Sequence, residues 1–262
     1  MTPRPLLSLL GGALLALALA AGCAGNAPKP DGKAPTTEGE AVLQKGLEAM
    51  KDKNYEEARA FFDLVTARFP FLDVARLAEL RIADVHYEKE EFPEARDKYQ
   101  QFVKLHPTHP EVEYAAFRAA MTNYQEIPKD FFLLPPSFEK DQTPVKNALR
   151  AMEDFIRQYP QSKYLAEAKK THTEVRRRLC QHELYAAEFY AKRGKWQAVV
   201  GRLETLVKNY PGAGYDEEAL FGIYDAYKKL RDDGRAQETL KRIVSSLPGT
   251  KAAERAQKLL GG

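Results

Sequence analysis

The sequence predicts an all-α fold, a solenoid of about five helix-turn-helix repeats with one long helix linking its N- and C-terminal halves. Three observations lead there. The 262 residues are 44% hydrophobic and 29% charged, with a mean hydropathy of −0.51, a water-compatible composition with ample material for a core. A helical phrase ending in proline recurs along the chain, as in "NYEEARAFFDLVTARFP" at 54–70 and "KWQAVVGRLETLVKNYP" at 195–211. Between Ser162 and Arg193 there is neither proline nor glycine, so nothing in that stretch interrupts a helix.

Counting back from Pro70, Pro107, Pro160, Pro211 and Pro248 aligns the phrases. Fifteen residues earlier stand Tyr55, Phe92, Val145, Trp196 and Asp233; twelve earlier, Ala58, Ala95, Ala148, Val199 and Ala236. Eight earlier are Phe62, Tyr99, Met152, Leu203 and Leu240, and five earlier Val65, Phe102, Phe155, Leu206 and Ile243. Steps of three and four keep these columns on one helix face, and proline, lacking an amide donor, stops each helix. A small residue, a bulky one four later and a terminal proline make up the second half of a tetratricopeptide (TPR) repeat.

The elements follow in order. Helices near 40–52 and 55–69 form repeat one, and helices near 73–90 and 92–106 form repeat two. Repeat three starts near 110 and is interrupted at 128–144 by "PKDFFLLPPSFEKDQTP", too rich in proline for a regular helix. The long helix from Ser162 to about Arg193 spans about 30 residues, or about 45 Å. Gly194 ends it and 196–210 follows; Asp216 to Leu247 forms repeat five, and "TKAAERAQKLL" at 250–260 caps the stack. The expected domains are residues 40–161, holding repeats one to three, and 162–262, holding the rest. Stacked repeats of this kind make a binding surface.

The start of the chain differs in kind. Arg4, the apolar run "LLSLLGGALLALALA" at 6–20 and "AAGC" at 20–23 read as a secretory signal with a lipobox-like site, although Ala20 stands where leucine is usual. The expectation is a cleaved signal peptide, 1–22, and a diacylated, N-acylated Cys23. A transmembrane anchor fits less well, because the apolar run is shorter than the ~20 residues a spanning helix needs. More than one acyl chain gives stable membrane attachment. Ala24 after the cysteine resembles an outer-membrane address of Gram-negative lipoproteins, which places the protein on the periplasmic face. Residues 23–39, rich in Pro, Gly, Ala and Thr, read as the lipidated terminus and a tether.

Chemistry is sparse. With 40 basic and 37 acidic side chains the net charge is +3, so no global electrostatic case for nucleic acid exists. His106 and His109 share the turn "HPTHP", and His172 and His182 stand ten apart on a helix; neither is a metal-ligand spacing. No P-loop, G-x-S-x-G or G-x-G-x-x-G occurs. Cys180, alone in a helical segment, reads as a small buried residue. The basic run "KKTHTEVRRR" at 169–178 reads chiefly as a solvated helix face. No enzyme, metal or cofactor is expected.

One block is more diagnostic than the repeats. "HELYAAEFYAKRGKWQAVVGRLETLVKNYP" at 182–211 carries a Tyr-x-x-Ala-x-(Phe/Tyr)-Tyr run at 185–190, Arg193-Gly194, Trp196, Val199-Val200, Arg202 and Tyr210-Pro211. It resembles the fourth-repeat region of the BamD family, lipoproteins of the outer-membrane β-barrel assembly machine. The likeness extends more loosely over residues 40–248, while the insertion departs from the family's more polar stretch. The resemblance implies a non-catalytic scaffold. Its N-terminal repeats would recognise unfolded barrel proteins, and its C-terminal repeats would dock onto periplasmic POTRA domains of the barrel subunit, BamA, alongside other lipoproteins of the machine. A pilotin for a pilus or secretin would share the anchor and repeats but not the Trp196/Arg202 block. A periplasmic TPR coordinator would typically lack the anchor or carry sustained heptads, which do not appear here.

Two sets of residues are singled out for binding. Arg202 lies off the centre of the face made by Trp196, Val199, Leu203 and Leu206, so it can meet a partner; Arg193 joins it on the POTRA side. On the first helices of repeats two and three, Tyr87, Tyr114, Phe117 and Tyr124 offer aromatic faces to an extended peptide, and Arg81 and Arg118 can receive its terminal carboxylate. A barrel's last strand offers that combination of alternating apolar residues and a free carboxylate.

Overall fold

A computed structural model describes residues 37–129 and 136–261. The segment read as a signal peptide, Cys23 and residues 130–135 of the insertion lie outside the described residues. The all-helical expectation is met among the described residues by eleven α-helices and no strand.

The helices pack as antiparallel pairs in chain order. They are α1 (Thr37–Lys51) with α2 (Tyr55–Arg68), α3 (Asp73–Glu88) with α4 (Phe92–Leu105), and α5 (Val112–Gln125) with α6 (Thr143–Gln158). Next come α7 (Leu165–Ala191) with α8 (Trp196–Asn209), α9 (Asp216–Lys229) with α10 (Asp233–Ser246), and α11 (Lys251–Gly261), which closes on α10. A short 3-10 turn at Ser137–Glu139 leads into α6 and touches α7. Helix α1 begins three residues inside the segment read as tether, and α7, at 27 residues, starts three residues later and ends two residues earlier than expected.

The sequence columns are the core. All five members of the small column and of both later bulky columns are buried, from Ala58, Phe62 and Val65 in α2 to Ala236, Leu240 and Ile243 in α10. The first column is mixed: Val145 is buried, Tyr55, Phe92 and Trp196 are half-buried, and Asp233 is exposed at the start of its helix. Close packing within the first pair requires Gly46, since a Cβ there would meet Phe62 Cε1 at 2.4 Å.

The stop prolines act through the residue before them. Phe69, His106, Tyr159, Tyr210 and Leu247 all sit near φ −127 with ψ between 43 and 63. Each still donates its N–H to the carbonyl four residues back, but the proline ring pushes its ψ out of the α region, so the helix ends there. The turns inside the pairs repeat too. Lys53, Glu90, Gly194 and Arg231 have φ of 59, 61, 67 and 57, and the residue after each donates to the carbonyl five residues back. That is the Schellman arrangement, with glycine at only one of the four positions.

The core does not break where the two domains were expected to meet at 161/162. One cluster joins Ile127, Val145 and Ala148 to Val175, Leu179 and the C-terminal helices, and residues 37–262 form one compact unit. The reason is α7: as the first member of the fourth pair it also packs along α6. No described helix is long and apolar enough to cross a membrane.

Candidate functional site

Repeats one to three contribute their first helices to one cleft of about 490 Å3. Leu47, Met50, Lys51 and Lys53 come from α1 and its turn, Arg81, Asp84 and Glu88 from α3, and Tyr114 and Arg118 from α5. Spacings of three and four put each set on one helix face.

At its base lies Asp84, 5% exposed. Arg81 Nη1 donates to Asp84 Oδ2 at 2.6 Å, and the Tyr99 and Tyr114 hydroxyls donate to Oδ1 at 2.5 and 2.8 Å. Three donors satisfy a carboxylate that burial would otherwise penalise heavily. Burial and then the Asp84 charge hold both phenols well above the usual tyrosine range. Arg118 lies over the Tyr87 ring, 3.6 Å from its centroid; its Nε donates to the Tyr99 hydroxyl at 3.3 Å and its Nη2 to Glu88 at 3.2 Å.

Four of the residues singled out in the sequence therefore meet around Asp84: Arg81, Tyr87, Tyr114 and Arg118. Both arginines are already engaged by carboxylates of the chain, whereas Lys51 and Lys53 make no ion pair among the described residues. Phe117 and Tyr124 lie elsewhere, which corrects the grouping. Phe117, 5% exposed, stacks on Tyr164 at 5.0 Å and tilts against Phe155, so its ring is core. Tyr124 donates to Glu174 on α7 at 2.6 Å, and partial burial, then this bond, push its hydroxyl up to about 12.

The second region surrounds the α7–α8 turn. Arg202 Nη1 reaches Glu183 Oε2 at 3.4 Å, with side-chain exposures of 41% and 10%. Arg202 is thus the counter-ion of a buried carboxylate on the preceding helix, while part of its guanidinium stays open. Arg193 covers the exposed Phe189 ring at 3.4 Å and donates to the Phe189 carbonyl at 3.0 Å.

The basic run on α7 is not simply solvated. Arg176 donates to the Pro211 carbonyl and Arg178 to the Pro128 carbonyl at 3.1 Å, tying two turns to the helix. Cys180 is buried, and burial pushes its thiol up to about 11. Sequence reasoning missed Asp84 and Glu183. Their signal was a carboxylate in an apolar row: Asp84 stands four after Leu80, and Glu183 between Leu179 and Ala187 at steps of four.

Comparison with known proteins places these features. "Outer membrane protein assembly factor BamD" of Caulobacter vibrioides is 26% identical over 248 residues, 95% of this chain and 79% of that protein. The protein of the same name from Neisseria gonorrhoeae is 28% identical over 211 residues, 80% of this chain and 79% of that one. Among solved structures, the TPR2AB domain of yeast Sti1 in complex with pHSP90 covers 86% of this chain and 83% of its own at 12% identity, with a TM-score of 0.44. The profile of the YfiO family, described as outer membrane lipoprotein, matches residues 35–243, a span that contains the whole Asp84 cleft and the α7–α8 turn. The chain belongs to the YfiO family of outer membrane lipoproteins.

Proposed function

We propose that this protein is an assembly factor for outer-membrane β-barrels, a non-catalytic scaffold held at the periplasmic face of the outer membrane by acyl chains on Cys23. Its N-terminal cleft receives segments of unfolded barrel proteins, and the face around Arg193 and Arg202 docks onto POTRA domains of the barrel subunit. The observation that carries this reading is the family match over residues 35–243, supported by the names of the relatives.

Within that reading the geometry favours a division of labour in the cleft. Arg81 and Arg118 orient Tyr114 and Tyr87 and are neutralised by Asp84 and Glu88. The cations left to meet a terminal carboxylate are Lys51 and Lys53, with Leu47, Met50 and the tyrosine faces beside them for apolar side chains.

Pull-down from detergent-solubilised outer membranes tests the assignment. Recovery of a POTRA-containing barrel protein supports it; recovery of a secretin instead would make the chain a pilotin. Labelling with a tagged fatty acid tests the anchor: Cys23→Ala should abolish incorporation, and equal labelling of both proteins would rule Cys23 out. Peptides from barrel C-termini should bind more weakly when amidated or when Lys51 and Lys53 are replaced by glutamate.

A further inference from the structure

A second groove, of about 740 Å3, lies among the Ser137–Glu139 turn, α7, α8 and α9 and shares no lining residue with the Asp84 cleft or the Arg202–Glu183 pair. Its floor is the buried trio Ala187, Val199 and Leu203, and its wall is the half-buried Leu184 and Tyr185, with Phe138 tilted against the Tyr185 ring at 5.6 Å. The α7 wall runs from Gln181 to Ala191 at steps of three and four, three turns or about 15 Å of continuous helix face. On the α9 side Gly222 lets Leu203 pack closely, since an added Cβ would meet Leu203 Cδ1 at 2.6 Å.

The charged residues that line this groove are of one sign. Glu139, Glu188 and Glu218 line it, and no lysine or arginine appears among its described lining residues. Glu139 and Glu218 make no ion pair among the described residues. Glu188 pairs with Lys192 at 2.6 Å, but with both side chains more than 60% exposed that pair is easily exchanged. The N-terminal cleft, by contrast, is lined by Lys51, Lys53, Arg81 and Arg118 against two carboxylates. One stack thus carries two grooves of opposite character, which argues against a single ligand running through both.

We propose that the α7–α9 groove is a separate docking site for a basic amphipathic helix of a partner protein. Bulky apolar side chains at i, i+3 or i+4, and i+7 would lie along the Leu184–Tyr185 wall, and flanking lysines or arginines would meet Glu139, Glu188 and Glu218. Helix-in-groove recognition uses this combination of stripe and rim, the apolar anchors giving affinity and the rim charges setting partner choice and salt dependence.

The test uses residues 24–262, which contain the whole compact helical unit. The probe is a fluorescein-labelled 18-residue peptide with a leucine stripe at helical spacing and lysines elsewhere, followed by fluorescence anisotropy. Two controls accompany it, a glutamate-for-lysine version and a scrambled version of equal composition. The lysine helix should bind, the glutamate helix should not, and affinity should fall as salt rises. Glu139→Lys with Glu218→Lys should weaken binding by about tenfold or more, and Ala191→Arg, which crowds the end of the wall, should weaken it as well. Should the lysine pair unfold the protein, Glu139→Gln with Glu218→Gln should still weaken binding by about threefold. Equal binding of the scrambled peptide, or unchanged affinity in folded rim variants, would overturn the proposal.

Discussion

The Tyr99 hydroxyl donates to Asp84 Oδ1 across 2.5 Å, joining α4 to α3 inside the core of the second repeat. Because Arg81 and Tyr114 converge on the same carboxylate, Asp84 ties α5 to that repeat as well. Asp84→Ala leaves two phenols and a guanidinium without their partner, and should cost about 3 kcal/mol or more. Tyr99→Phe removes one donor and should cost about 1–2 kcal/mol. Urea denaturation measures both; a loss below about 1 kcal/mol for Asp84→Ala would mean that the network does not hold the repeats together.

Arg202 serves Glu183 before it serves any partner. Arg202→Glu sets two carboxylates side by side, one of them buried, so its melting temperature should fall along with the proposed binding to POTRA domains. The stability loss should be about 1–2 kcal/mol, moderated by the open side of the guanidinium. Arg202→Gln combined with Glu183→Gln should recover most of that stability. If partner binding stays weak in the recovered protein, Arg202 itself contacts the partner; if binding returns, its role is confined to the fold.

The four Schellman turns make a matched internal experiment. At Gly194 an added Cβ would meet nothing within 4 Å, yet φ is 67, so Gly194→Ala should lose about 1 kcal/mol through backbone strain alone. Arg231 occupies the same conformation with a side chain, and Arg231→Gly should gain up to about 1 kcal/mol. Thermal melts of the two variants should move in opposite directions.

The turn between the second and third repeats should respond to acid. His109 Nδ1 accepts the Glu111 N–H at 3.1 Å, which requires that nitrogen unprotonated. Burial first, and then nearby His106, hold its pKa below the ordinary 6.5. The unfolded chain therefore takes up the proton first, and this histidine's contribution to stability is present above pH 6.5 and lost as pH falls below it. His109→Asn keeps a side-chain acceptor without titrating, so its melting temperature should drop less between pH 7 and pH 5 than that of the parent. Parallel losses in the two proteins would place the acid sensitivity elsewhere.

The fold was legible because its rules are local. A small residue, bulky residues at steps of four and seven, and a proline after them set the buried face and the end of each second helix from neighbouring residues alone. The sequence by itself determined the helices, their pairing order, the buried columns, the long α7 and a family likeness in the 182–211 block. Partnerships between helices were not legible, since they depend on side chains separated by tens of residues. Nothing local to Asp84 says that Tyr99 and Tyr114 will donate to it, or that Arg81 and Arg118 will meet there while Phe117, one residue from Arg118, turns into the core. Nor does "EVRRRLC" reveal that Arg176 and Arg178 fasten turns at Pro211 and Pro128. Only the tertiary structure decided which charges are spent on the fold and which remain for partners, because desolvation and distance, not residue type, fix where each charge finds its counterpart.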